Sequence, residues 1–90
     1  MAKFNLGKIK ISESVQEKLD AECIQSGLKR HADGDWGHSP KINAFQNEQV
    51  VTTGGPGMIL SQYHDSNGEE FWIATDTLRG ETSVVIPNKE

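Results

Sequence analysis

The residue types best suited to chemistry lie close together in the middle of the chain. Arg30, His31 and Asp35 fall within six positions, and Arg79 is a further basic residue near the C-terminal end. Histidine and aspartate act as general acids and bases when both reach a shared substrate. One hypothesis is therefore a small hydrolase or nuclease accessory that uses His31, Asp35 and Arg79. An ion-paired clamp, in which Arg30 or His31 holds Asp35, is favoured because no G-x-S-x-G or comparable nucleophile motif is present. A second such pair would join Arg79 to Asp76.

Three histidines raise the question of a metal site. His31, His38 and His64 are spread along the chain without H-x-x-x-H or C-x-x-C spacing, and Cys23 is the single cysteine. We therefore predict no metal site, no catalytic residue and no cofactor. His31 is expected to cap the C-terminal end of its helix, where a cation is favoured, and His64 to lie exposed beside a turn. Cys23 is expected to be a small buried hydrophobic residue.

Residues 30–37, here called the 30–37 loop, include the most distinctive loop of the chain. Gly34 and Gly37 bracket Asp35 and Trp36, and glycine permits the positive φ of tight turns. Asp35 is expected to accept hydrogen bonds from backbone amides one or two residues further on. Trp36 either folds back as a lid on the small core or stands out as an anchor for a partner, a role in which tryptophan is enriched.

The elements that must hold these residues begin with a β-hairpin. Residues 58–64 and 69–76 are rich in β-branched, aromatic and aliphatic side chains, and the Asn-Gly pair between them is a strong hairpin signal. Two registers fit, with Tyr63 opposite either Trp72 or Phe71. The second is favoured because it gives the cleaner apolar face. That face would carry Ile59, Tyr63, Phe71 and Ile73, and the other face Leu60, Gln62, Trp72 and Ala74.

Two further strands are predicted beside this hairpin. A second turn at residues 77–80 leads into a strand at residues 82–86, which Pro87 ends. Residues 3–11 also alternate like a strand, bent at Gly7, and are expected to join an edge of the sheet. A bare sheet of this size needs a cover, so the N-terminal half must supply helices.

A first helix is predicted at a capping box. Ser14 opens an S-x-x-E pattern, and Val15 and Leu19 begin an apolar stripe with helical spacing. Glycine costs about 1 kcal/mol in a helix interior. We therefore expect a break or bend near Gly27.

A second helix start is predicted at Ser39 and Pro40, with serine as the cap and proline at the first helical position. This helix, residues 41–51, would cover the sheet. Its spacing places Ile42 and Phe45 on one side.

Size and charge restrict the function classes. The 90 residues make a single domain, residues 1–90, with a small core. A net charge of −4 argues against an electrostatic grip on nucleic acid. No apolar run approaches the roughly 18 residues of a membrane span. A single cysteine fits a reducing compartment, so a cytoplasmic protein is expected.

The chain resembles a family of small accessory proteins of bacterial plasmids, prophages and integrative elements, described as plasmid-related or hypothetical. The R-H-x-x-G-D-W-G run of the 30–37 loop is the most specific part of the resemblance, which covers nearly the whole chain. It implies an intracellular protein of mobile DNA and no known reaction. The matching residues are Phe4 to Gly7, Arg30, His31, Gly34 to Gly37, Asn47, Leu60, Ser61, Tyr63, Trp72, Ile73, Thr75, Arg79 and Thr82 to Pro87.

The sequence as a whole predicts an α+β domain. It would consist of an antiparallel, meandering sheet of three or four strands, covered on one face by two or three short helices. The predicted function is a non-enzymatic interaction module that binds a host or element-encoded protein through the 30–37 loop and a sheet face. An anti-restriction or anti-CRISPR inhibitor is one alternative, and a homodimer paired through the edge strand 82–86 is another. The predicted partner-binding residues are Arg30, His31, Asp35, Trp36 and Arg79.

Overall fold

The computed structural model describes residues 2–87. The fold is α+β, with three helices in the N-terminal half and most of the sheet in the C-terminal half. In chain order the elements are β1 (Lys8–Ile11), α1 (Glu13–Lys18), α2 (Ala21–Ala32), α3 (Lys41–Thr53), β2 (Met58–His64), β3 (Glu70–Asp76) and β4 (Glu81–Val85).

The four strands form one mixed sheet in the order β1-β4-β3-β2. Strands β2, β3 and β4 make the predicted antiparallel meander, but β1 pairs with β4 in parallel. The prediction of a purely antiparallel sheet is therefore wrong. Parallel strands need a long crossover, and the helices between β1 and β2 belong to that crossover. Strand β4 lies inside the sheet, so the expectation of a free edge at residues 82–86 is also wrong.

The β2–β3 hairpin has the favoured register, with Tyr63 opposite Phe71. Gly68 has a φ of 84°, as the left-handed turn position requires. Ile59, Tyr63, Phe71 and Ile73 are each at most 2% exposed, and they form one face of the sheet. The register is thus confirmed, and with it the assignment of the buried face.

Helices α1 and α2 cover this face with one apolar stripe. Cys23 packs at the margin of the core and is only partly buried, so the prediction for this residue is met in part. The buried core comprises Val15, Leu19, Ile24, Leu28, Tyr63, Phe71, Ile73, Val84 and Ile86.

The break between the helices lies earlier than predicted. Helix α1 ends at Lys18, the next residue, Leu19, has an extended backbone, and α2 begins after Asp20 and runs through Gly27. A Cβ atom at Gly27 would lie 2.9 Å from the Phe71 ring. Glycine at this position therefore permits close contact between helix and sheet and does not interrupt the helix.

Both predicted helix caps are wrong in detail. Ser12, not Ser14, caps α1, because its hydroxyl accepts a hydrogen bond from the Val15 amide. Pro40 occupies the cap position of α3, and the Ser39 hydroxyl instead donates to a backbone carbonyl of the 30–37 loop. Ser14 and Ser39, the two serines that matched the sequence patterns, therefore each make a local contact other than the predicted cap.

Helix α3 is joined to the outer edge of β2 by a buried asparagine. The Asn47 side chain donates to the Leu60 carbonyl (2.6 Å) and accepts from the Leu60 amide (3.0 Å). Ile42 and Phe45 are 62% and 60% exposed. The expectation that they cover the sheet is wrong, because a buried asparagine, and not an apolar stripe, attaches this helix.

None of the helices in residues 2–87 has both the length and the apolar character needed to cross a membrane.

Candidate functional site

The 30–37 loop is held by the predicted ion-paired clamp. Arg30 Nε lies 2.8 Å from Asp35 Oδ2, and Arg30 Nη2 lies 3.4 Å from Oδ1. The Gly37 amide also donates to Asp35, as the sequence predicted. These hydrogen bonds, that from Arg30 foremost, lower the pKa of Asp35. The Arg30 guanidinium lies 4.5 Å from the centre of the Tyr63 ring, which adds a cation–π contact.

His31 lies in the interior of the protein, not at a helix cap. It has no exposed surface. Its Nδ1 atom is hydrogen-bonded to the Ser61 hydroxyl and its Nε2 atom to the Thr75 hydroxyl at 2.9 Å. Thr75 in turn contacts Thr82, whose hydroxyl donates to the Leu6 carbonyl. The sequence prediction for His31 is wrong because the ring belongs to the buried stripe of α2.

Burial also decides the charge of His31. Removal from water lowers its pKa to about 4, so the ring is neutral at pH 7. A neutral imidazole offers one donor and one acceptor, which match the two hydroxyls that it contacts. This residue therefore stabilises the interior and is not accessible to substrate or partner.

The sequence left two alternatives open for Trp36, and the structure shows the first of them, a lid folded onto the core. It is 8% exposed, and its indole N–H donates to Glu48 on α3 at 3.0 Å. Its ring packs edge-on against His31 at 5.9 Å and stacks with Phe4 at 6.1 Å. Trp36 and His31 are thus both removed from the set of accessible partner-binding residues.

Arg79 lies far from the rest of the predicted site. It contacts Asp76 at 3.9 Å, in the turn after β3, and most of its side chain is exposed. The Asp35 carbonyl, by contrast, accepts from the hydroxyl of Tyr63, which pairs with Phe71 near the start of β3. The length of β3 separates these two ends by about 20 Å. His31, Asp35 and Arg79 therefore do not share one cleft.

The second face of the sheet carries no buried residue among those that the structure describes. We call its central part the uncovered face. Trp72 is the largest side chain there, and its indole N–H donates to Glu70 at 2.7 Å. Antiparallel sheets commonly leave one face to solvent, so the exposure of this face is ordinary. A partly exposed tryptophan in the centre of such a face is less common. The uncovered face comprises Leu60, Gln62, Trp72, Ala74, Ser83 and Val85.

One end of the uncovered face holds a cluster that sequence reasoning missed. His38, His64 and Glu70 each offer a ligand atom, and these atoms lie within 4.8 Å of one another. The two imidazole rings are stacked, with centres 4.2 Å apart and planes 15° apart. His38 Nε2 lies 3.7 Å from Glu70 Oε2.

Two of the three members of this cluster had a signal in the sequence. The favoured hairpin register already places His64 opposite Glu70. His38 joins them because the Gly37 region runs beside β2, where the His38 amide donates to the Gln62 carbonyl at 2.8 Å. That backbone contact spans 24 positions and leaves no pattern in the sequence.

Comparison of the chain with protein-family models, with curated proteins and with solved structures found no match.

Proposed function

We propose that this chain is a non-enzymatic protein-binding module that docks a partner protein on its uncovered face. The observation that carries the proposal is Trp72, a half-buried tryptophan in the middle of a sheet face with no buried residue. Tryptophan is among the residues that most often dominate binding energy at interfaces.

The surroundings of Trp72 resemble the anatomy of an interface. Val85 lies beside it on β4 and is 41% exposed, and Leu60 adds apolar surface on β2. Polar and charged groups flank this centre: His64 and Glu70 lie at one end, and an ion pair between Lys10 and Glu81 lies at the other. An apolar centre with a polar rim is the usual composition of a protein interface.

The 30–37 loop contributes to this surface less than the sequence suggested. The chain passes around the edge of β2 at the end of this loop, from Trp36 on the core side to His38 beside the uncovered face. Arg30 and Asp35 keep about half of their side chains exposed but lie on the core side, against Tyr63. Of the residues predicted to bind a partner, Arg30, Asp35 and Arg79 remain accessible, and none of them belongs to the uncovered face.

The resemblance to accessory proteins of mobile elements supplies the class of partner, a protein encoded by the host or by the element. An inhibitor of a host defence protein is one form that such a module takes. The single cysteine supports a cytoplasmic site of action. The hydrolase alternative is not carried forward, because His31 has no exposed surface with which to touch a substrate.

The proposal is tested with two surface variants. Trp72→Thr removes the aromatic side chain but keeps a residue suited to a strand, and Phe45→Ser removes an exposed aromatic residue from α3. We expect one bacterial protein to be captured by the wild type and by Phe45→Ser and lost by Trp72→Thr. With that partner purified, titration calorimetry should show a one-to-one complex that weakens by at least about 2 kcal/mol in Trp72→Thr.

Circular dichroism must show that both variants are folded before they are compared. A partner that binds Trp72→Thr as tightly as the wild type would contradict the proposal. Loss of binding in Phe45→Ser alone would move the docking surface to α3.

A further inference from the structure

The cluster of His38, His64 and Glu70 is positioned by two independent backbone contacts. His64 and Glu70 are directly opposed residues of β2 and β3, so their side chains leave the sheet on the same face. His38 is fixed beside β2 by two backbone hydrogen bonds, one on each side of Gly37. A Cβ atom at Gly37 would collide with the Gln62 carbonyl, so glycine permits this close approach.

The side chains match the ligands of a transition-metal ion. Two imidazoles and a carboxylate are a ligand set used for Zn²⁺ at sites that keep a fourth position for water. Tetrahedral Zn²⁺ with ligand bonds of about 2.0–2.1 Å holds its ligand atoms about 3.3 Å apart. The three ligand atoms here already lie within 4.8 Å, and the two histidine side chains are exposed, where they can rotate.

The carboxylate also has a supporting contact of the kind found behind metal ligands. The Trp72 indole N–H donates to Oε2 of Glu70 at 2.7 Å, the same oxygen that lies nearest to His38. This hydrogen bond fixes the carboxylate and leaves its other oxygen available. Hydrogen bonds of this type orient ligands, and their loss commonly costs 10–100-fold in metal affinity.

We propose that His38, His64 and Glu70 bind one divalent transition-metal ion, with Zn²⁺ as the best match, at the end of the uncovered face. Imidazole ligands favour Zn²⁺, Cu²⁺ or Ni²⁺ over the hard cations Mg²⁺ and Ca²⁺, which prefer oxygen. The bound ion links His38, the residue after the 30–37 loop, to the β2–β3 hairpin. Its fourth position faces solvent and is open to a water molecule or to a donor atom of another molecule.

Other groups on the chain are poor competitors for the ion. His31 is fully buried and has both ring nitrogens occupied by hydroxyl partners. Cys23 is partly buried, and burial, followed by the nearby carboxylates of Asp65 and Asp20, raises the pKa of its thiol. A protonated thiol is not a metal ligand.

The test is a calorimetric titration of Zn²⁺ into the chain, purified without a polyhistidine tag and freed of metal with a chelator. We expect one ion per chain for the wild type and for the control Cys23→Ser. His64→Ala and Glu70→Gln should each weaken binding at least tenfold, and both alter surface residues, so the fold should be kept. No saturation below about 1 mM Zn²⁺ would overturn the proposal, as would binding unchanged in His64→Ala.

Nuclear magnetic resonance supplies an independent readout. Addition of one equivalent of Zn²⁺ should shift the ring nitrogen signals of His38 and His64 and leave those of His31 in place. A shift at His31, or at Cys23 without the two surface histidines, would place the ion elsewhere and overturn the assignment. Trp72→Thr keeps all three ligands but loses the hydrogen bond to Glu70, so its Zn²⁺ affinity should fall by about 10–100-fold.

Discussion

At the scale of the residue, His31 connects parts of the chain that are remote in sequence. Its ring joins α2 to Ser61 on β2 and to Thr75 on β3, and Thr82 extends the hydrogen bonds to the backbone of Leu6. No buried side-chain polar atom in residues 2–87 lacks a hydrogen-bond partner. Burying such a network costs little free energy when every polar group has a hydrogen-bond partner. Loss of one member leaves its partners without a hydrogen bond in the interior.

The burial of His31 predicts a pH-dependent stability. Its pKa is about 4 in the folded protein and near 6.5 when the residue is exposed to water. The unfolded chain therefore binds the proton more readily, and stability falls as the pH drops from 6.5 towards 4. The difference between the two values corresponds to about 3 kcal/mol at most. Urea unfolding between pH 7 and pH 4.5 should show most of this loss.

The variant controls for this prediction are His31→Gln and His64→Gln. The first should be less stable at pH 7 and should lose the slope between pH 6.5 and 4.5, whereas the second should keep it. The hydrogen bond from Trp72 lowers the pKa of Glu70, so this carboxylate also reduces stability as the medium becomes acidic, and His31→Gln keeps that contribution. If His31→Gln does not fold, the pKa of His31 is measured in the wild type from the nuclear magnetic resonance signals of its ring. Protonation of His31 above pH 6 in the folded protein would contradict the prediction.

At the scale of the element, the contact between α2 and the sheet depends on Gly27. A Cβ atom there would lie 2.9 Å from one ring carbon of Phe71 and 3.1 Å from Ile73. Both side chains are almost fully buried, so they have little space in which to move. The helix is therefore closer to the sheet than any larger residue at this position would allow.

We predict that Gly27→Ala lowers the free energy of unfolding, although alanine is the better helix former. The gain in helix propensity is about 1 kcal/mol, and overpacking costs about 1–3 kcal/mol. Ser26→Ala is the matched control, because Ser26 is exposed on the same helix and should be neutral or slightly stabilising. Thermal unfolding of the three proteins checks this, and a Gly27→Ala variant more stable than Ser26→Ala would contradict it.

At the scale of the whole molecule, the two edges of the sheet differ. The edge of β2 is closed by Asn47 of α3 and by the backbone of Trp36 and His38. The opposite edge, β1, is open along part of its length and carries Lys8 and Lys10. Lysines on an edge strand oppose pairing with another copy.

We therefore expect the isolated chain to be a monomer. Strand β4 is internal and β2 is covered, so a homodimer built by strand pairing would have to bring two lysine-bearing β1 strands together. Sedimentation at low and physiological ionic strength measures the mass directly. A dimer at micromolar concentration, and its loss when Ile9 is replaced by proline, would contradict this expectation and locate the interface at β1.

The sequence was most informative where the signals are local. The Asn-Gly turn and the alternation around it fixed the pairing of Tyr63 with Phe71, and the Arg30–Asp35 clamp followed from five positions of separation. Each of these contacts joins residues close along the chain, for which turn chemistry and charge are sufficient guides.

The remaining features depend on contacts that a local pattern does not contain. The burial of His31 requires Ser61 and Thr75 as partners, which lie 30 and 44 positions away. The approach of His38 to His64 requires the Gly37–Gln62 bridge, and the parallel pairing of β1 requires the entire crossover. Propensity and periodicity describe single elements, whereas these arrangements are decided by tertiary packing.

The pairing of β1 with β4 has a consequence for how the chain acquires its structure. Lys8 pairs with Glu81, so β1 meets its neighbour in the sheet only after the chain has been made as far as β4. Contacts between distant positions slow folding, because the intervening chain must be ordered before they form. During synthesis β1 would therefore remain unpaired until β4 has left the ribosome. A chain shortened before residue 81 would lose β4 and would also leave β1 without its partner, because β4 lies between β1 and β3.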